Sequence, residues 1–288
     1  MKKFHNIFKL WSTAVSLVII LLVLSTATYA WFTSNKVVTT DKVTARSGED
    51  TLELLIGSSS GSFSEDHECE IVQVNETLAT ELMPVSTADL KSFVYNPVST
   101  GENAEIFKLV EDEQYYYHGR VYLVAEAKGE MPGRKVHLYL DEDEEEGGPL
   151  VSADAGLLLN AARLGLTFDG ENPVIFSLSD TSNPTDDQAR NTVIGDDVLG
   201  DGRVLVPSGD TVAGVPDPSV PLATYKIEMD DSSVTLPEKP LLEMELNHVY
   251  QVDIYFYLEG CDPDCSDSIN FHEADLHLGF YGIPVDEE

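Results

Sequence analysis

The chain has 288 residues, of which 42% are hydrophobic and 9% aromatic. That is enough apolar material for a packed core and too much for a disordered chain, so one large domain or two small ones are expected. The formal net charge is −34, from 51 acidic against 17 basic residues. Such a charge repels phosphate backbones and anionic lipid headgroups, which excludes nucleic acid as a partner and favours either solubility or the recruitment of cations.

The first 30 residues have the layout of an export signal. Three lysines precede a stretch over 10–32 that carries no charged residue, which is a basic n-region followed by an apolar h-region. The stretch is long enough to cross a bilayer as a helix, so a cleaved signal and a retained anchor are both compatible with it. Small residues at Thr28 and Ala30 favour cleavage after Ala30. In either case the rest of the chain is directed outward, and it meets a membrane only through this segment.

The junction after the apolar stretch resembles a known family. The run ATYAWFTSN at 27–35 is similar to the end of the export signal in Firmicute proteins of the TasA and camelysin group. The likeness continues through 43–45 and 51–56. It implies a jelly-roll β-sandwich that assembles into extracellular biofilm fibres and needs no cofactor. Because camelysin has been described as a metalloprotease, the resemblance also requires a search for metalloprotease residues.

Alternating apolar residues predict a mainly β fold, an antiparallel, jelly-roll-like β-sandwich. Strand and helix segments do not alternate along the chain, which disfavours a parallel doubly wound sheet. A single short helix is predicted over 153–163, with Ser152 as its N-cap. Strand-like alternation recurs around residues 52–56, 121–125, 136–140, 164–168, 174–178, 225–229, 250–258 and 276–280.

The expected domain organisation has three parts. Residues 1–30 form a hydrophobic helix that is a signal peptide or membrane anchor, and 31–50 form an extended arm or first strand. Residues 51–288 form the sandwich domain. The stretch 180–221 within it is rich in Asp, Gly, Pro, Ser and Thr, so it is expected to be a long loop insertion rather than a second domain.

Two of the three cysteines lie close together in the sequence. Cys261 and Cys265 fall within one tight turn, where an exported protein can close a small disulfide loop. Two free thiols are the alternative, and Cys69 is left over in either case. A zinc site would need four ligands at characteristic spacing, which these residues and the scattered histidines do not supply.

Acidic runs give two candidate calcium sites. The run over 141–146 ends a predicted strand, although such a block is most often a solvated turn. The segment 196–202 is rich in oxygen ligands but lacks the alternating spacing and terminal Glu of an EF-hand. Calcium is the only cofactor these residues suggest, and the fold requires none. The candidate ligands are Asp141, Asp143, Asp196, Asp197 and Asp201.

The sequence carries no recognised catalytic motif. A zincin helix needs two histidines one turn apart with a glutamate between them, and the nearest approach, His272 to His277, is poorly phased for one metal ion. The Gly-x-Ser-x-Gly spacing at 57–61 lies in a Gly/Ser-rich loop rather than in a strand-to-helix elbow, and no phosphate-cradling glycine loop occurs. The chain is therefore expected not to be an enzyme, and a secreted hydrolase or metalloprotease is the least favoured function.

These features together favour an exported structural or interaction protein of the cell surface or extracellular matrix, whose partners are copies of itself or other surface proteins. A route to fibres exists, because the arm could add as a strand to a neighbour's sheet edge with Val37, Val38 and Val43 as its anchors. The alternative is a surface module that binds cell-wall glycans through outward-facing Tyr255 and Tyr257. Cross-strand packing under a loop would equally account for these tyrosines.

Overall fold

The structure of the chain is a computed structural model. The chain divides into two units, Met1–Lys36 and Val37–Glu288, and every described residue belongs to the second. The predicted signal or anchor, with its cleavage position at Ala30, therefore lies outside the described residues. The structure describes residues 38–48, 51–75, 82–95, 106–110, 115–129, 134–141, 156–178, 191–192, 203–205, 215–216, 218–230, 233–260, 262, 265 and 274–286.

This part of the chain is mainly β, which confirms the predicted fold class at that level. The strands of the N-terminal half are β1 (Val38–Ser47), β2 (Leu52–Gly57), β3 (Glu68–Glu70), β4 (Val72–Gln73), β5 (Pro84–Val85), β6 (Val94–Tyr95), β7 (Ile106–Leu109), β8 (Tyr117–Ala127) and β9 (Arg134–Asp141). Helix α1 (Gly156–Ala161) follows. The later strands are β10 (Ala162–Phe168), β11 (Glu171–Ser177), β12 (Asn191–Thr192), β13 (Arg203–Leu205), β14 (Val215–Pro216), β15 (Val220–Pro221), β16 (Glu228–Asp230), β17 (Ser233–Thr235), β18 (Leu242–Met244), β19 (Val249–Glu259) and β20 (Ala274–Asp286). A 3-10 turn spans Leu222–Thr224.

Two large sheets hold most of these strands. One has five strands in the order β18-β9-β20-β1-β3, and the other has eight strands, with β15-β11-β10-β19-β8-β2 in line, β4 added beside β8 and β5 beside β19. Most neighbours are antiparallel, but β1 with β20, β11 with β15 and β5 with β19 are parallel. The predicted wholly antiparallel pairing is therefore wrong at these three places. Each joins segments with no hairpin between them, so no turn geometry imposes an antiparallel direction.

Buried side chains from both large sheets belong to one hydrophobic core. Val43 and Phe280 come from the five-stranded sheet and Leu54, Leu164 and Ile254 from the eight-stranded sheet, and all five are fully buried. They occupy alternate positions along their strands, because successive side chains of a strand point to opposite faces. The alternation in the sequence therefore located the core positions of β2, β10, β19 and β20 correctly.

The helix is shorter than the spacing predicts. Residues 153–163 were expected to be helical, but the helix ends at Ala161 and the chain enters β10 at Ala162. Arg163 lies in the strand, fully buried and paired across to Tyr257. Residues 162–168 form a strand rather than a helix because Leu164 and Leu166, two residues apart, both lie in the hydrophobic core.

The prediction that the strands are half-buried fails for the centre of the eight-stranded sheet. Every residue of β10 is buried, because a segment at residues 82–95, which we call the strap, packs on the sheet's outer face, the face opposite the core. A second apolar cluster forms there from Val85, Leu90, Phe93, Tyr116, Ile175 and Tyr257.

Part of the predicted insertion at 180–221 adds strands to the sheets. Strand β13 pairs with β7, which also pairs with β6 of the strap, and β15 pairs with β11 of the eight-stranded sheet. The described parts of this segment are therefore not solely a loop. Its alternation was too short, at two or three residues per strand, to be recognised from the sequence.

Candidate functional site

The outer face of the eight-stranded sheet carries a group of polar side chains beside the aromatic residues under the strap. Strand register places Arg120 of β8 and Thr167 of β10 directly across from Asp253 of β19, one on each side. His118 and Gln251 lie two residues away from these positions on the same face. We call these five residues, His118, Arg120, Thr167, Gln251 and Asp253, the Asp253 cluster.

Three side chains converge on the carboxylate of Asp253. Nε2 of His118 lies 3.0 Å from Oδ1, and Nε of Arg120 donates to the same oxygen at 2.7 Å. Nε2 of Gln251 donates to Oδ2 at 2.7 Å. The Asp253 side chain is only 5% exposed, so these contacts replace the water that a buried carboxylate needs.

The charge of Asp253 is stabilised in the folded protein. Burial alone would raise its pKa, but the hydrogen bonds from His118, Arg120 and Gln251, with the positive charge of Arg120, lower the pKa below its usual value. Burial likewise opposes the charge of Arg120, yet its contacts with Asp253 and Tyr122 raise the pKa of its guanidinium. Asp253 is therefore ionised at neutral pH and paired with a permanent cation.

Aromatic rings complete this face. The imidazole of His118 stacks on Tyr255 with ring centroids 4.4 Å apart and an interplanar angle of 16°. Phe93 of the strap stacks on Tyr116 at 3.9 Å and meets Tyr257 edge-on at 5.5 Å. These are the offset and edge-to-face arrangements that aromatic side chains favour in packed interiors.

The predicted outward-facing tyrosine pair is therefore corrected. Tyr257 is fully buried beneath the strap, where no sugar can stack on it. Tyr255 is half-buried and has one ring face covered by His118. Both tyrosines do lie on the face opposite the core, but that face is covered rather than open to solvent. This is the alternative prediction, cross-strand packing under a loop.

The burial of the Asp253 cluster disfavours acid–base chemistry on an external substrate. The His118 side chain is only 10% exposed, and a general base must reach the proton that it abstracts from a substrate. Among the described residues, no group of three or more His, Cys, Asp or Glu side chains is arranged to hold a metal ion. In the imperfect zincin-like run from His272 to His277, His277 lies in the extended strand β20 and His272 lies outside the described residues.

A second buried charge pair lies where β19 ends. Nη2 of Arg163 lies 2.7 Å from Oδ2 of Asp262, and both side chains are fully buried. Nη1 of Arg163 also donates to the carbonyl oxygens of Asn160 and Ala162, at 2.8 and 2.9 Å. Since Asn160 belongs to α1, this guanidinium joins the end of the helix to the turn that follows β19.

The cysteine prediction is corrected at the same turn. Cys265 is a free thiol in this structure, so it is not in the predicted disulfide, and Cys261 lies outside the described residues. Burial, with the nearby charges of Glu259 and Asp262, raises the pKa of the Cys265 thiol to about 12 despite the opposing charge of Arg163. Cys69 is also a free thiol, and burial raises its pKa to about 11. Such thiols carry little thiolate and are poor nucleophiles.

Asp141 is not placed as a calcium ligand. Its side chain is 1% exposed and Nη2 of Arg46 lies 2.6 Å from its Oδ2, so the guanidinium of the part-exposed Arg46 takes the position that the acidic run suggested for a cation. Arg46 comes from β1, at a distance of 95 residues in the sequence. The other four calcium candidates, Asp143, Asp196, Asp197 and Asp201, lie outside the described residues.

The predicted donor arm forms a strand within its own chain. Strand β1 lies between β20 and β3, and Val38 pairs with Ala274 in the backbone register. Val43 is fully buried in the core. Val37 lies outside the described residues.

Sequence reasoning missed the residues that pair charges between elements. Alternation in β19 placed Gln251 and Asp253 on one face, but His118 and Arg120 were not connected with them. The partners are more than 130 residues apart, and only the register of β8 against β19 brings them together. The signal available in the sequence was the presence of His118 and Arg120 at alternate positions of β8, a strand that is otherwise largely apolar.

No protein-family model, no curated protein and no solved structure matches this chain. Within the part of the chain that the structure describes, no helix is long and apolar enough to cross a bilayer.

Proposed function

We propose that this chain is an exported structural protein of the cell surface or extracellular matrix, that its two large sheets form a jelly-roll-like β-sandwich, and that copies join by exchanging β1. The export signal over 1–30, the resemblance to the TasA and camelysin group and the mainly β fold support this proposal. The shared core of the two large sheets supports the sandwich. No cofactor is required for such a role.

The position of β1 is the observation that carries the exchange. It is the first described strand of the chain, it pairs along its length with the last described strand, β20, and it touches β3 at only three positions, Lys42 to Thr44. An N-terminal strand beside one long neighbour can leave without being threaded through a loop. The slot that it vacates presents the backbone edge of β20, which an identical strand from another copy fits in the same register.

Leaving the sheet is costly unless a neighbour's strand replaces β1. The side chains of Val43 and Ala45 would leave the core, and Asp141 would keep a buried charge without the guanidinium of Arg46. Because the Arg46 side chain is 38% exposed, the cost is below the roughly 3–5 kcal/mol that loss of one partner costs in a fully buried ion pair. An exchanged β1 restores all of these contacts between copies, so the closed and exchanged forms have similar contact energies and the balance depends on concentration.

Deletion of residues 31–45 from the mature protein tests this function. We expect the truncated protein to form no fibres under conditions in which the intact protein does, as seen by electron microscopy. A synthetic peptide spanning residues 31–47 should bind the truncated protein and restore its protease resistance, because it fills the vacated slot. Fibres of undiminished yield from the truncated protein would rule out β1 as the exchanged strand.

Export is tested separately by N-terminal sequencing of material from the culture. A start at Trp31 supports release, an intact Met1 supports a membrane tether, and retention inside the cell would contradict the proposal.

A further inference from the structure

The buried hydroxyl of Thr167 needs a physical explanation. Thr167 is 2% exposed, and none of the described residues offers its Oγ1 a hydrogen-bond partner. Leaving a buried hydroxyl unpaired costs free energy, and native structures contain few such groups. This unpaired hydroxyl belongs to the Asp253 cluster, directly across from Asp253.

A side-chain amide lies within reach of this hydroxyl. Thr167 is directly across from Asp253, and Gln251 is the next residue on the same face of β19, where its backbone carbonyl oxygen accepts a hydrogen bond from the backbone N–H of Asp169 at 2.8 Å. Thr167 and Gln251 are thus diagonal neighbours on adjacent antiparallel strands. Cβ atoms at diagonal positions are up to about 7–8 Å apart, a span that a glutamine and a threonine side chain can close.

We propose that Thr167 and Gln251 form an intramolecular ester cross-link between β10 and β19. Oγ1 of Thr167 attacks Cδ of Gln251, so that a C–O bond forms and the Cδ–Nε2 bond breaks. The hydroxyl proton passes through the carboxylate of Asp253 to the departing nitrogen, which leaves as ammonia. The reaction consumes no oxidant, reductant or second substrate.

Asp253 lies beside both reacting residues, directly across from Thr167 in the strand register and hydrogen-bonded to Gln251. Its Oδ2 already accepts a hydrogen bond from Nε2 of Gln251 at 2.7 Å, the nitrogen that must gain a proton to leave. Its Oδ1 is occupied by His118 and Arg120, which fixes the orientation of the carboxylate. The lowered pKa of Asp253 keeps the carboxylate ionised and makes it a weak base, so a proton that it accepts is passed on rather than held.

The burial of the cluster favours the ester once it has formed. An ester oxygen has no hydrogen to donate, so the unpaired donor at Thr167 disappears. Water that would hydrolyse the bond has little access to Thr167 at 2% exposure. The bond would join β10 to β19 in the centre of the eight-stranded sheet, where it resists the separation of the strands.

Intact-mass spectrometry of the purified wild-type protein is the direct test, with the N terminus of the same sample determined by sequencing. We expect a mass below the sequence mass by one molecule of ammonia, and a peptide map that joins the peptides of Thr167 and Gln251. Hydroxylamine should cleave the link, as it does esters, and restore two separate peptides. A wild-type protein with its full sequence mass would overturn the proposal.

Two variants and a control exclude other sources of the mass change. T167V and Q251E should each show their own full sequence mass, since one lacks the nucleophile and the other lacks the leaving amide. Q73E changes another glutamine whose Nε2 donates to a side-chain oxygen, that of Asn75 at 3.3 Å, and should keep the ammonia loss. A deficit that persists in T167V, or that maps to other residues, would also overturn the proposal. Because the wild-type mass is decisive, poor folding of a variant would not leave the question open.

Discussion

At the scale of single residues, the buried charges lie between strands that are distant in the sequence. Asp253 binds Arg120 and His118, and Asp262 binds Arg163. A chain with a net charge of −34 has few cations, and several of them are placed beside buried carboxylates. These pairs cost desolvation free energy, so their main effect is to penalise any other register of the strands.

Replacement of Asp253 tests this role. We expect D253N to lower the free energy of unfolding by about 3 kcal/mol, because it leaves the guanidinium of Arg120 and the imidazole of His118 without their anion in a buried setting. Urea denaturation measures the change. The control is E243Q, whose partner Lys135 lies 3.5 Å away in a pair that is 44% and 55% exposed, and which should stay within about 1 kcal/mol of the wild type.

The same carboxylate predicts a pH dependence. Because the pKa of Asp253 is lower in the folded than in the unfolded protein, its contribution is present above the ordinary aspartate pKa of about 4 and is lost as the pH falls through the lowered value. The stability difference between wild type and D253N should therefore be constant from pH 7 to about 5 and shrink below about 4. A difference that stays constant down to pH 2 would contradict the ionised pairing.

The site could be predicted only in part, and the reason lies at this scale. The spacing of Gln251, Asp253, Tyr255 and Tyr257 correctly placed them on one face of a strand. Whether that face meets water depends on the strap, which is separated from β19 by more than 150 residues of sequence. Pairings such as Arg46 with Asp141 depend in the same way on strand register, which alternation alone does not determine.

At the scale of elements, the strap decides whether the outer face is buried. Leu90 anchors it, with a φ of 56° that leucine rarely adopts. A Cβ placed on Gly165 would lie 2.5 Å from Cδ2 of Leu90, so the absence of a side chain on β10 at this position makes room for the leucine. The strap therefore packs against the sheet at Gly165, where the missing side chain leaves space for Leu90.

Gly165→Ala should displace the strap. We expect a loss of stability of about 1–3 kcal/mol from overpacking, together with a change in the near-ultraviolet circular dichroism of the tyrosines beneath the strap. Gly61→Ala is the matched control, because nothing lies within 4 Å of a Cβ at that position. Equal effects of the two substitutions would show that Leu90 does not depend on the space above Gly165.

Elements were predicted well where alternation is long and poorly where it is short. Strand β19 has eleven residues and was evident from its spacing, and β8 and β20 were located in the same way. The end of α1 was misplaced because the residues after it suit a helix and a strand equally well. Strands of two residues in the insertion leave no periodic signal, and they exist only because a neighbouring strand offers its edge.

At the scale of the whole molecule, charge governs association. Residues 1–30 hold three lysines and no acidic residue, so a copy without them has 14 basic against 51 acidic residues, a charge of −37. Such copies repel one another, and that repulsion must be screened before β1 can be exchanged. We expect millimolar calcium to promote association of the mature protein more strongly than sodium chloride of equal ionic strength, because a divalent ion neutralises acidic runs directly. Light scattering measures this, and scattering unchanged by calcium would contradict it.

Exchange of β1 is the central claim, and the ion pair between Arg46 and the buried carboxylate of Asp141 tests it most directly. R46D pairs two acidic side chains and D141R pairs two arginines, whether β1 stays in its own chain or is exchanged between identical copies. In a mixture, exchange can instead place the β1 strand of R46D beside the introduced arginine of D141R. The native β1 strand of D141R then lies beside the native Asp141 of R46D. The double variant, which carries the reversed pair in one chain, serves as the reference for assembly. We predict that neither single variant forms fibres alone and that an equimolar mixture does, as measured by sedimentation and electron microscopy. A mixture that assembles no better than its separate components, while the double variant assembles, would contradict the exchange of β1.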